Sequence, residues 1–268
     1  MLSKLLKYEL KATGRIFLPL FVALLMFAGI TRFISPPMGP EKWAAPAMIS
    51  MFVYICIMAG IFVMTFIMMI QRFNKNLLSD EGYLMFTLPV KAWKHIVSKL
   101  FVSMLWMITS GIVAFISVLI IALEKGDITK FTEAFATFYD QAFEQLGASI
   151  YFLSFEIIIG ILVSLASGIL IVYASIAIGH LINEHKMLAS FGAFIILSTL
   201  SQFLFILISF IPGGAYFSNV NISSYNDFIS MQWLIQTVMA YGIIFTGLLS
   251  AAFFAVTNLI LSKRLNLE

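Results

Sequence analysis

The sequence has few charged residues and very little cysteine. Only 11% of its 268 residues are Asp, Glu, Lys or Arg, whereas soluble domains contain about 25%. The single cysteine, Cys56, lies inside an apolar run. One cysteine forms no intrachain disulfide and builds neither a multi-cysteine zinc cluster nor a paired redox motif. The composition therefore excludes these kinds of cysteine chemistry.

Motifs for catalysis are also missing from the sequence. It contains no GxxxxGK[ST] phosphate-binding loop, no HExxH zinc motif and no GxSxG nucleophile motif. His180 and His185 stand five residues apart, about 140° around a helix, so they would not share a face as zinc ligands do. We therefore predict that the chain is not an enzyme, needs no cofactor or metal, and has no nucleic-acid partner.

Long apolar runs make up most of the chain. Apolar residues account for 61% of the sequence and the mean hydropathy is +1.01, while soluble domains are about 45–50% apolar. Several runs have the roughly 20 residues that a helix needs to cross a hydrocarbon core of about 30 Å. We predict an all-α integral membrane protein in which residues 1–268 form one transmembrane domain. Its six spans cover residues 16–34, 48–70, 101–123, 150–178, 187–211 and 233–261.

Lys and Arg are distributed unevenly between the two sides that six spans define. Of the 16 Lys and Arg residues, only Arg32, Lys42, Lys125 and Lys130 fall on one side. The others lie near the termini and in the connections after the second and fourth spans. Cytoplasmic loops carry an excess of Lys and Arg, so both termini and residues 71–100 are predicted to be cytoplasmic.

Residues 1–15 have an amphipathic pattern ahead of the first span. Leucines fall on one helical face and basic residues on another, which favours a helix on the anionic cytoplasmic leaflet, with membrane lipid as its partner. The alternative is a basic flank that only orients the first span. A secretory signal peptide is disfavoured, because the basic region is long and no clear small-residue cleavage site follows.

The connection over residues 124–147 is acidic and repeats aromatic residues at helical spacing. Phe131, Phe135 and Phe138 are separated by four and three residues, which predicts an amphipathic helix. Such a helix would either brace the outer interface or cover a substrate path.

Span four contains the one carboxylate inside an apolar run, Glu156. Burial of an unpaired carboxylate costs several kcal/mol, so an ionisable group at membrane depth is a candidate substrate or proton site. Because Glu156 is about six residues from the predicted end of the span, an interfacial position is the alternative. Small residues also recur along this span and predict close helix packing, in the interior or at a subunit interface: Gly160, Ser164, Ser167, Gly168, Ser175 and Gly179.

The most polar long stretch between the apolar segments is residues 79–99, SDEGYLMFTLPVKAWKHIVSK. Gly82 interrupts a helix that continues from span two, and Pro89 suits the first turn of a new helix. Trp93 lies on an apolar stripe that follows, with Lys94 beside it. Such a helix can bind a groove on a soluble partner. The alternative is a charged loop whose tryptophan anchors at the interface.

This stretch resembles the cytoplasmic loop between spans two and three in ABC-transporter permeases of the bacterial exporter class. In that family a TLPV-like segment followed by a helix contacts the ATPase. The N-terminal sequence LLKYELKATGR is similar to the amphipathic N-terminal helix of Gram-positive members. These motifs cover about the first hundred residues, and the six-span pattern covers the whole chain. Residues 124–147 depart from the family in being longer than a minimal outer turn.

The resemblance implies a dimer of two permease subunits, identical or sister, each bound to a separate cytoplasmic ATPase at the bacterial plasma membrane. Hydrolysis would move the coupling loop, residues 71–100, tilt spans one and two, and export an amphipathic or hydrophobic drug, peptide or lipid. The implied ATPase contacts are Asp80, Glu81, Gly82, Tyr83, Leu84, Pro89, Trp93 and Lys94. Two alternatives stay open: a non-transporting sensor or immunity subunit that binds an ATPase, and a secondary transporter that uses Glu156.

Overall fold

The chain is helical throughout the part that the structure, a computed structural model, describes: residues 2–34, 44–78, 91–122, 127–182, 185–217 and 226–263. Within these ranges no strand forms, which confirms the all-α prediction. The helices are α1 (Leu2–Ile34), α2 (Ala44–Leu77), α3 (Ala92–Ala122), α4 (Asp127–Leu146), α5 (Ser149–Gly179), α6 (Lys186–Phe217) and α7 (Asn226–Lys263).

Six of these helices are long and apolar enough to cross a membrane: α1, α2, α3, α5, α6 and α7. Their most apolar windows are between 0% and 28% buried inside the protein. Most of their apolar surface therefore faces outward. A lipid bilayer covers such a surface, and helices satisfy their own backbone hydrogen bonds there. The prediction of a six-span helical membrane protein is confirmed.

Helix α1 joins two segments that the sequence pattern treats separately. A single helix extends from Leu2 to Ile34, and Pro19 lies inside it. Proline has no N–H for the carbonyl group four residues earlier, yet the buried face continues across it from Thr13 to Phe17 and Phe21. Residues 2–15 therefore extend the first span by about four turns. Their association with lipid stays a prediction.

The contacts divide the chain into two compact units. The first unit contains Met1–Phe73 and Leu88–Tyr139, and the second contains Asn74–Thr87 and Asp140–Glu268. Thus α1, α3 and most of α2 belong to the first unit, and α5, α6 and α7 to the second. The single transmembrane domain over residues 1–268 stays a prediction.

The first unit has an aromatic core where α1 packs against α3. Phe17 stacks on Trp106, with ring centroids 4.6 Å apart and an interplanar angle of 15°. Phe21 lies against both rings, and α2 adds Tyr54 and Ile61 to the same cluster. Aromatic pairs of this kind add about 0.5–1.5 kcal/mol beyond the burial of their area. The core therefore joins the middle of α1 to the N-terminal half of α3.

In the second unit α5 packs against α6 and α7, and the end of α5 is its most buried part. Of the small residues of this helix, Ser175 and Gly179 are buried, whereas Ser164 and Gly168 are exposed. The predicted packing face is therefore close-packed only toward the C-terminus of α5.

Helix α4 confirms the helix predicted within residues 124–147. Its aromatic face is open in this chain: Phe131, Phe135 and Phe138 are 45%, 65% and 69% exposed. An exposed aromatic face suits a helix at a lipid interface. The choice between a brace and a substrate lid stays open.

Candidate functional site

The predicted ATPase contacts fall in two parts of the chain. Six of them lie outside the described residues: Asp80, Glu81, Gly82, Tyr83, Leu84 and Pro89. Trp93 and Lys94 lie in the first turn of α3. Trp93 is 40% exposed, and the Lys94 ammonium lies over its ring, 5.6 Å from the centroid. This first turn continues without interruption into the third span.

An ion-pair cluster of Glu9, Arg72 and Lys99 joins the three helices of the first unit. Lys99 Nζ donates to Glu9 Oε1 at 2.8 Å, and Arg72 donates a guanidinium N–H to Glu9 Oε2 at 3.5 Å. Glu9 belongs to α1, Arg72 to α2 and Lys99 to α3. One carboxylate therefore holds all three helices at one level.

Burial makes this cluster different from a surface salt bridge. Glu9 is 8% and Lys99 3% exposed, while the Arg72 side chain is 26% exposed. Breaking a buried pair by removing one partner costs about 3–5 kcal/mol, because the other charge stays buried without compensation. The ion pair with Glu9 therefore helps to keep the Lys99 ammonium inside the protein.

A hydrogen-bond chain continues from the ion-pair cluster along α1. The Trp106 Nε1–H donates to Thr13 Oγ1 at 2.7 Å, and the Thr13 hydroxyl donates to the Glu9 carbonyl at 2.8 Å. Thr13 is one helical turn beyond Glu9, so α1 contacts α3 through two successive polar residues on one face.

Helix α2 is also joined to α3 by buried hydroxyl pairs. The Thr65 and Ser110 hydroxyls are 3.1 Å apart, and the Tyr54 and Ser117 hydroxyls are 2.8 Å apart. Ser110 and Ser117 follow Lys99 on α3 at intervals typical of one helical face. A polar stripe on α3 therefore faces α1 and α2.

The space between these polar groups is small. A cavity of about 20 Å³ is lined in part by Glu9, Thr65, Arg72 and Lys99. One water needs about 10–15 Å³ of such space, while sites for drug-sized ligands span about 300–1,000 Å³. The Thr65 hydroxyl is already bonded to Ile61 and Ser110. The ion-pair cluster is therefore a helix junction with room for about one water, not a substrate site.

A second polar contact joins α1 to α3 at the opposite ends of these helices. The Arg32 guanidinium donates to the Ile120 carbonyl at 2.7 Å. Thr31 donates to the Ser50 carbonyl of α2 at 3.4 Å. The three helices are thus connected by polar groups at both ends.

Glu156 is buried in the second unit, at 6% exposure. Its Oε2 atom has no hydrogen-bond partner among the described residues. Gly160, one turn later, lies against α7, where its ideal Cβ position is 3.5 Å from Ile243. Tyr241 of α7 also has a buried hydroxyl with no partner in the described part of the chain. The structure therefore encloses Glu156 within the protein.

Metal binding has no support in the described ranges, where no group of three or more His, Cys, Asp and Glu side chains could hold an ion. His180 instead places Nδ1 2.9 Å from the Ile176 carbonyl, at the end of α5.

Sequence reasoning counted Arg72 and Lys99 only as orienting charges and gave Glu9 no role. The sequence signal was the one carboxylate in a segment with Lys4, Lys7, Lys11 and Arg15. Comparison with protein-family models, curated proteins and solved structures finds no match to this chain.

Proposed function

We propose that this chain is the membrane-spanning permease subunit of an ATP-driven ABC export complex whose ATPase is a separate cytoplasmic polypeptide. One observation carries the proposal. The first turn of α3 exposes Trp93, while Lys99 on the same helix is buried against Glu9 of α1. An external contact and an internal junction therefore lie on one rigid element.

The exposed end of α3 has the chemistry of a protein-binding element. Tryptophan anchors contribute much of the affinity at protein interfaces, and charged residues around them set orientation. Trp93 and Lys94 supply one such pair, with residues 79–90 before them in the chain. The partner's nucleotide-dependent movement would reach α1 and α2 through α3 as a rigid-body motion.

The proposed substrate is amphipathic or hydrophobic. The apolar windows of the spans carry few charges, so they offer little to replace the hydration shell of a small ion. Two subunits, identical or sister, would enclose the path between their membrane-facing surfaces. The bacterial plasma membrane is the proposed location.

The first test is the loss of coupling in aromatic variants. We expect Tyr83→Ala and Trp93→Ala to insert normally but to lower transport per ATP hydrolysed by on the order of tenfold, as alanine replacement of interface anchors often costs 1 kcal/mol or more. The measurement uses proteoliposomes that contain the chain and an ATPase that copurifies with it.

Phe33→Ala is the matched control. Phe33 is an aromatic residue, 90% exposed, at the C-terminal end of α1 and outside the coupling loop. This variant should retain coupling. Unchanged coupling in both Tyr83→Ala and Trp93→Ala contradicts the proposed ATPase contact. ATPase binding without any movement of substrate identifies the sensor or immunity alternative instead.

A secondary transporter is the second candidate function, and the enclosed Glu156 carboxylate favours it. A buried carboxyl at membrane depth exchanges a proton or a cation as its surroundings change. Under this alternative the purified chain alone moves substrate when a proton gradient is applied, and Glu156→Gln abolishes that movement. Under the ABC proposal the chain alone is inactive with or without the gradient. Glu133→Gln, at an exposed position of α4, is the control.

A further inference from the structure

We infer that Glu9 is a positioning residue for the end of the coupling loop, which is the start of α3 with Trp93 and Lys94. Through Lys99 it fixes the start of α3 to the N-terminal part of α1, so that a movement imposed at Trp93 and Lys94 reaches the first span directly. The inference rests on the proposed function, because it assigns a transmission role within that complex.

The path from Trp93 on α3 to Glu9 on α1 is short. Lys99 is six residues beyond Trp93 on the uninterrupted helix α3, which corresponds to about 9 Å along the axis. The Lys99 ammonium is 2.8 Å from the Glu9 carboxylate. A displacement of the first turn of α3 therefore meets α1 within two helical turns.

Glu9 differs from every other charged residue in the N-terminal segment. Lys4, Lys7, Lys11 and Arg15 are exposed, whereas Glu9 is buried. The buried face of this part of α1 comprises Glu9, Thr13, Gly14 and Phe17. The leucine face predicted to contact lipid overlaps this buried face, because Leu6 lies about one turn before Glu9 and packs against the aromatic core. The leucine side of this segment is therefore also its protein-facing side.

Stability alone is a weak reason for a buried ion pair here. Replacing such a pair with apolar residues of similar volume is often neutral or stabilising, because desolvation offsets the attraction between the charges. A charged hydrogen bond differs from an apolar contact in being directional. The Glu9 carboxylate receives donors from both α2 and α3, so it fixes the rotation and the height of both helices relative to α1.

The small cavity beside the ion-pair cluster argues against a substrate-binding role for Glu9. About 20 Å³ accommodates roughly one water and no organic substrate. One turn further, Trp106 and Thr13 repeat the contact between α3 and α1. The surroundings of Glu9 thus have the character of a helix junction.

The first experiment measures the spacing of α1 and α3 without any partner. Spin labels are placed at Tyr8→Cys and Lys91→Cys, both exposed, in a full-length Cys56→Ser chain in lipid nanodiscs. A Glu9→Met, Arg72→Met, Lys99→Met triple variant removes all three charges of the cluster and should retain its thermal midpoint. We expect its distance distribution to be clearly broader than that of the parent chain. A distribution as narrow as the parent's overturns the inference.

Arg32→Met is the matched control for this measurement. It removes a polar contact between the same two helices at their other ends. The distribution of distances between the labels should therefore stay as narrow as in the parent chain. Broadening of equal size in Arg32→Met would assign the effect to general loosening and contradict a specific role for Glu9.

The second experiment measures coupling in the complex with the ATPase. The triple-Met variant should lose transport per ATP by on the order of tenfold, within the usual range of coupling between sites. A charge-reversed variant, Glu9→Lys with Lys99→Glu and with Arg72→Met to remove the neighbouring like charge, should recover a large part of it. Full coupling in the triple-Met variant overturns the inference. If the parent chain binds no ATPase, the proposed function fails, whereas an unchanged label distance refutes the positioning role alone.

Discussion

Oppositely charged neighbours within the chain determine whether a charged side chain can be buried. Glu9 and Arg15 are six residues apart on α1, yet Glu9 is inside the protein and Arg15 is exposed. Glu9 has Lys99 and Arg72 within reach, and a buried charge is tolerated only with such compensation. A count of charges along the sequence treats both residues alike.

Gly179 provides a residue-level test of the second unit. An added Cβ atom there would lie 2.6 Å from Ser190 Cα, and a backbone atom at that distance has to move. Gly179→Ala should therefore destabilise the protein by about 1–3 kcal/mol, the usual cost of overpacking. Thermal unfolding in mild detergent measures the change.

Gly168→Ala is the control for that substitution. No atom lies within 4 Å of the Cβ position at Gly168, so the replacement should be neutral or stabilise α5 by up to about 1 kcal/mol, since alanine is the better helix former. A thermal midpoint that changes equally in both variants contradicts the close approach of Gly179 and Ser190.

Trp106 connects α3 to α1 in two ways, by aromatic stacking and by a hydrogen bond. Trp106 stacks on Phe17 and donates its Nε1–H to Thr13. The stacking buries apolar area, and the hydrogen bond fixes the orientation of the two helices relative to each other. The pairing of these two helices is therefore more specific than apolar packing alone would make it.

Two replacements at Trp106 separate these contributions. Trp106→Phe keeps an aromatic ring but leaves Thr13 without its donor, and should cost about 1 kcal/mol. Trp106→Ala also removes the ring and should cost about 3–5 kcal/mol. Chemical unfolding in detergent gives both values.

Trp93→Phe serves as the reference for these replacements, because Trp93 is 40% exposed at the start of α3. Its unfolding free energy should stay close to that of the parent chain. A Trp106→Phe value no larger than that of Trp93→Phe would show that the hydrogen bond to Thr13 contributes nothing measurable.

At the scale of the whole molecule, the six spanning helices have apolar outward surfaces of the kind that a lipid bilayer covers. The distribution of Lys and Arg predicts how the chain is oriented in that bilayer. In a Cys56→Ser chain, Lys91→Cys should react with a membrane-impermeant maleimide only from the cytoplasmic side, and Tyr139→Cys only from the outside. Both positions are exposed. Labelling in intact cells and in inverted vesicles gives the answer.

Reversal of both labelling patterns would place the coupling loop outside the cell, and the proposed ATPase contact would then be wrong. Labelling of both positions from one side would instead contradict the predicted third span between them. A reporter fused to either terminus provides a control, because six spans put both termini on the same side.

The positions of the six spans and the helical class follow from the sequence alone. In lipid a backbone satisfies its hydrogen bonds locally in a helix, so length and hydropathy are sufficient to locate it. The helix within residues 124–147 follows for a similar local reason, its aromatic spacing.

Only the tertiary structure showed which residues Glu9 contacts. Its partner Lys99 is 90 positions away, and no local pattern pairs two residues at such a distance. The enclosure of Glu156 likewise depends on how α5 packs with its neighbours, which a single helix does not reveal. Burial and pairing are properties of contacts between elements, and in this chain those contacts determine which polar residues are candidates for function.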